Sequence, residues 1–211
     1  LNKTMQAQIK KKDTYKMGID TLFNLRRQLM QTLVSFKEDL CREDFNAIPF
    51  INADGYHSKT IAYSIWHIFR IEDIVAHTVI TEDEQVFFTG NYQVRINSPI
   101  ITTGNELVKQ QIADFSKQLN LEELYSYIFE VRESTEKILE RFSYDELKWK
   151  IPDERKGYLK SLNVVNCDEK AIWLIDYWCS KDIRGLIQMP FSRHWIMHTE
   201  ACLRIKNKMH S

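Results

Sequence analysis

The segment PFSRHWIMHTEACLRI, residues 190–205, decides how this chain is read. Pro190 suits the first turn of a helix, where a missing N–H leaves no bond unmade. His194 and His198 are four residues apart, so on a helix both imidazoles leave the same face. Ala201 and Ile205 share that face, which makes it the stripe such a helix buries, while Trp195, Thr199 and Arg204 point elsewhere. Two imidazoles in a buried stripe need partners, because an unpaired buried polar group costs on the order of 1–3 kcal/mol. A divalent metal is the partner that best uses two neutral imidazoles at this spacing. Spacing alone is a weak motif, and hydrogen-bonded core histidines are the ordinary alternative.

A third histidine strengthens the metal reading. His67 lies in TIAYSIWHIFRIEDIVAHTVI, residues 60–80. At helical periodicity one face collects Thr60, Tyr63, Ser64, His67, Ile71, Ile74 and Thr78, so His67 is again a polar group on an inward stripe. Glu72 and Asp73 fall on the far side and are expected in solvent. Arg70 is expected in a surface or interface ion pair, with substrate contact by Arg70 or Tyr63 as the sharper reading. His57, His77 and His210 are expected to be incidental.

The length of 211 residues suits one domain with a substantial core. Hydrophobic residues at 44% argue against disorder, and only six glycines and four prolines argue for long helices. A formal net charge of zero gives no electrostatic case for nucleic acid or an anionic membrane. No apolar run reaches the roughly 18 residues of a membrane span. Cys41, Cys167, Cys179 and Cys202 show no CxxC spacing and no secretory leader precedes them, so reduced thiols and a cytoplasmic location are expected. Cys202 sits at the edge of the histidine stripe and is a minor candidate for a sulfur ligand.

Residues 1–17 read as a basic, polar arm, and 18–211 as a single helical domain. Leu22, Leu25, Leu29, Leu33 and Phe36 predict a helix over 18–42, residues 46–58 a loop, and 59–83 the His67 helix. Two glycines and a proline in 88–105 predict a long crossover connection. A further helix is predicted over 121–142, with Arg132, Glu136, Lys137 and Glu140 on a solvated face. Residues 159–165 read as extended, and 168–187 as one helix before the last. The five tryptophans read as core or pocket-wall residues.

The stretch WHIFRIED (66–73) early and HWIMH (194–198) late resembles the DinB-like superfamily. The resemblance spans helix order from about residue 18 to 206. It implies an all-α four-helix bundle with a long crossover and an extra helix, and His67, His194 and His198 as ligands of a divalent transition metal. Nickel or zinc is favoured, and iron or copper suits three imidazoles as well. Some relatives conjugate low-molecular-weight thiols such as bacillithiol or mycothiol to small electrophiles. The first expectation is therefore a metal-dependent thiol S-transferase, with a small thiol and an electrophile as partners. The alternative is a non-catalytic metal-binding stress or interaction protein, and a homodimer is compatible with either. Metal-assisted hydrolysis is the weakest reading, because neither Glu72 nor Glu200 is placed as a general base.

Overall fold

The structure is a computed structural model that describes residues 1–210. It is all-α, with no strand among the described residues; the only bridge is an isolated one between Lys150 and Asp182. In chain order the helices begin with α1 (Asn2–Gln8), α2 (Tyr15–Asp39), α3 (Arg42–Asn46) and α4 (Ile61–Asp73). The last of these continues as wider π-type turns over Ile74–Thr81. Then follow α5 (Val86–Thr89), α6 (Tyr92–Ile96), α7 (Gln110–Gln118) and α8 (Leu121–Glu140). The chain closes with α9 (Glu154–Ser161), α10 (Glu169–Cys179), α11 (Ile183–Gln188) and α12 (His194–Met209).

Local chemistry fixes several of these boundaries. The Thr60 hydroxyl accepts from the Tyr63 N–H at 3.0 Å and starts α4, and Asn120 caps α8 through Glu123 N–H. Asp182 accepts from Gly185 N–H at 2.7 Å and opens α11 as a separate helix, so the single helix expected over 168–187 is two. The extended reading of 159–165 is also corrected, since α9 runs to Ser161. The connection expected over 88–105 holds α6 and the end of α5, and is irregular from Asn97 onward. Within the segment read as an arm, Met5 and Ile9 are fully buried and α1 lies along α2.

α4 is the centre of the molecule. It touches α8 and α12, and is flanked by α3, α5 and α7. All thirteen of its residues are buried, because neighbours cover every face. The expectation of a solvated side bearing Glu72 and Asp73 is therefore wrong: both are fully buried. Asp73 accepts from the Val86 and Phe87 N–H groups at 2.9 and 2.8 Å and from the Tyr127 hydroxyl. Arg70 makes an ion pair, with Asp73 at 3.7 Å, but in the interior and not at a surface; it also donates to the Ile101 carbonyl and the Gln85 side chain. Of the tryptophans, Trp66, Trp178 and Trp195 are buried, whereas Trp149 and Trp173 are exposed.

Glu72 belongs to a fully buried pair with Arg26 of α2, joined by two bonds of 2.7 and 2.9 Å. Arg26 also donates to the Phe191 carbonyl and to Glu136 of α8, so Glu136 is not merely part of a solvated face. The Trp195 indole N–H of α12 completes the knot on Glu72 at 2.7 Å. Removing one member of such a pair strands a buried charge, at about 3–5 kcal/mol. Glu72→Ala should lower unfolding free energy by about that amount in urea titration, and a loss below ~1 kcal/mol would contradict this role.

Candidate metal centre

His67 comes from the middle of α4, and His194 and His198 from the first turns of α12. The structure brings all three together. One ring nitrogen from each lies within 4.8 Å of the other two, and all three residues are buried. Ring centroids are 5.1 Å apart for His67 and His194, 4.9 Å for His67 and His198, and 4.6 Å for His194 and His198. The group can hold a metal ion, and no carboxylate or thiol joins it among the described residues.

Each ring's surroundings favour that use. The His67 Nδ1 lies 2.6 Å from the Thr103 carbonyl, which can only accept, so Nδ1 carries the proton and Nε2 keeps its lone pair. A fixed tautomer of this kind is how metal-bound histidines are usually oriented. His67 also stacks on Tyr63 at 5.2 Å, and the edge of Tyr56 meets His198 at 4.8 Å. The Nδ1 atoms of His194 and His198 are buried with no hydrogen-bond partner. Such orphaned groups are uncommon in folded proteins and call for a ligand. Burial pushes His67 down to about 4. It pushes His194 and His198 well below their usual range too, with the neighbouring imidazoles adding to the effect. Each neutral imidazole keeps one nitrogen lone pair, which a metal can take up.

The Thr103 carbonyl depends on one glycine. Gly104 has φ of +76°, and a Cβ there would lie 2.8 Å from the Trp66 ring and 3.0 Å from the Tyr63 ring. Its carbonyl receives the Tyr63 hydroxyl at 2.9 Å. The irregular segment after α6 thus crosses α4 and supports both His67 and its stacking partner. Neither the segment's register nor the carbonyl could be read from side-chain patterns.

A cavity of about 210 Å³ opens beside the rings, lined by His67 and His194 with Tyr56, Asn105, Trp173 and Tyr177 among its walls. Sequence reasoning missed Tyr56, Asn105 and Tyr177, which come from loops or from helix faces with no pattern of their own. Cys202 is buried in the core and its sulfur does not join the group formed by the three histidines. Tyr63 orients His67 and does not line the cavity.

Two other histidines are less incidental than expected. His57 meets Arg204 at 3.1 Å. His77 is buried, with Nδ1 2.7 Å from Asp83 and Nε2 3.0 Å from the Ser134 hydroxyl. That order resembles a hydrolytic triad, but Glu84, Glu130 and Glu133 outnumber the single cation, Lys137, in the adjoining opening. A developing oxyanion would be repelled there, so the bonds are read as bracing the π-type turns against α8.

No protein-family model and no curated protein matches this sequence.

Two measurements check the site. Saturating zinc or nickel should raise the unfolding free energy, by about 2.7 kcal/mol at a hundred times Kd, in the native chain but not in His67→Ala, His194→Ala or His198→Ala. Gly104→Ala should weaken metal affinity by roughly 10–100-fold, the effect of disturbing a ligand's outer partner. Unchanged affinity in a folded Gly104→Ala protein would remove the Thr103 carbonyl from the account.

Proposed function

We propose that this chain is a metal-binding, DinB-like four-helix bundle built from α2, α4, α8 and α12. On this reading His67, His194 and His198 hold one divalent ion, zinc or nickel, at a centre that activates a small thiol for transfer to an electrophile. The observation that carries the reading is the trio of desolvated, neutral imidazoles, two with orphaned nitrogens, beside an open cavity. Three protein ligands leave a coordination position free, as catalytic sites do and closed structural sites do not.

A bound divalent cation supplies Lewis acidity, lowering the pKa of a thiol or water that reaches it. The chain's own groups determine which nucleophile suits the site. Glu200, two residues from His198, is exposed, and Glu72 and Asp73 are engaged by Arg26 and by backbone N–H groups, so none of the three lines the cavity. With no carboxylate lining the cavity, a thiol of pKa near 8.5 needs far less help than water, near 15.7. The thiol proton passes to solvent. The sulfur then forms a bond to the electrophilic carbon, and the leaving group departs with the electron pair of the bond it breaks. Tyr56, Trp173 and Tyr177 form walls of the cavity where the reactants would meet, and His67, fixed by Thr103, keeps its lone pair directed at the cluster.

The competing reading is a metal-binding stress or interaction protein without turnover. The unpartnered cavity beside the rings favours the transferase. The test is a panel of low-molecular-weight thiols with 1-chloro-2,4-dinitrobenzene as a generic electrophile. A conjugation rate that needs added zinc or nickel and disappears in His194→Ala is expected. Stoichiometric metal binding with no metal-dependent rate for any thiol would leave only the non-catalytic reading.

A further inference from the structure

The rim of the cavity carries charge that the proposed chemistry leaves unused. Arg193 ends the π-type turns Met189–Arg193 and stands between Pro190 and His194, both of which line the cavity. It is exposed, and among the described residues no hydrogen bond or ion pair holds it. Tyr56 and Tyr177 form two of the cavity walls, and neither hydroxyl has a hydrogen-bond partner among the described residues. Burial raises both phenols above their ordinary value and so keeps them protonated, while the Arg193 charge acts on each in the opposite sense. Lys181 adds a second cation, 4.5 Å over the Tyr177 ring. No carboxylate lines the cavity, and Asp176, next to Tyr177 in sequence, is taken by Lys156 at 2.7 Å. A guanidinium with two protonated phenols beside it is a set of donors suited to an anion.

The rest of the wall is largely apolar, with Ile71, Leu174, Met189 and Pro190 beside Trp173. An apolar cavity of about 150 Å³ holds benzene, so 210 Å³ accommodates one ring or a short branched chain. We propose that the cavity binds a small monocarboxylate with an apolar body, its carboxylate held at the rim by Arg193 and the Tyr56 and Tyr177 hydroxyls. A planar guanidinium meets a carboxylate with two parallel bonds, which favours that anion over a spherical one. This deepens the reading of the metal centre, on which it rests, by giving one reactant a carboxylate remote from its reacting atom. The recognition itself uses the protein's own cations and not the metal, so the two can fail separately.

The test is a ligand-observed NMR titration of metal-free protein, its metal content checked by elemental analysis, with benzoate and its neutral isostere benzamide. At mildly alkaline pH the imidazoles are neutral and add no charge of their own. Benzoate should bind saturably and about tenfold more tightly than benzamide, the value of one charge-assisted hydrogen bond. Added salt should erode the benzoate affinity alone. Arg193→Gln, an exposed change, should bring benzoate down to the level of benzamide. The double variant Tyr56→Phe, Tyr177→Phe should weaken benzoate by about tenfold. Equal affinities in the native chain overturn the proposal without any variant, as does an absence of saturable binding. A preference for benzoate that survives Arg193→Gln overturns it as well, and unchanged benzoate binding in the double variant overturns the part given to the phenols. If metal titration fails while the benzoate preference holds, the centre is not metallic and the anion site stands. The opposite pattern leaves a metal centre that takes uncharged reactants.

Discussion

The Arg26–Glu72 pair is the constraint on which the rest of the molecule depends. It is fully buried and ties together all four long helices, since Arg26 reaches Glu136 and the Phe191 carbonyl while Glu72 accepts from Trp195. Arg26 also lies 4.4 Å over the Trp195 ring, so the charge is covered as well as paired. A buried pair of this kind is weak evidence for stability but a strong specifier of register, because a shift by one residue would strand a charge in the core. Glu72 lies five residues beyond His67, and Trp195 is next to His194. The knot that fixes α4 against α12 therefore also fixes the approach of the three imidazoles.

Both histidine-bearing helices carry π-type turns, Ile74–Thr81 after α4 and Met189–Arg193 before α12. Wider turns of this type are uncommon and concentrate at functional sites, where they re-aim side chains without ending the helix. Pro190 sits within the second one, where its missing N–H does no harm. The apolar core divides into one region around Phe36, Trp66 and Phe115 and another around Leu22, Trp178 and Phe191. Burial takes water away from the three imidazoles, which is why their protonation is suppressed.

The helical character, the long helices and the three histidines were legible because each rests on a local period. The helix expected over 121–142 is observed as Leu121–Glu140, and the one expected over 18–42 as Tyr15–Asp39. The same logic failed where burial is complete. A helix covered on every side has no polar face, and periodicity assigns Glu72 and Asp73 to solvent and leaves Arg70 at a surface or interface, when most of their partners lie far away in sequence. Arg26 is 46 residues from Glu72, and Ile101 is 31 from Arg70. The outer support of His67 was equally hidden, because a backbone carbonyl at Thr103 leaves no trace in composition. Gly104 is the one residue that hints at it, through the close approach only a glycine permits there.

What unites these observations is a centre whose imidazoles are desolvated, held in one tautomer where a partner is visible, and left unsatisfied where it is not. The most direct measurement of that claim is X-ray absorption spectroscopy on protein loaded with one equivalent of zinc. Three imidazole nitrogens at about 2.0–2.1 Å, with any remaining ligand a lighter oxygen donor, is the predicted first coordination sphere. A sphere with sulfur, or with fewer than three imidazoles, would contradict the account.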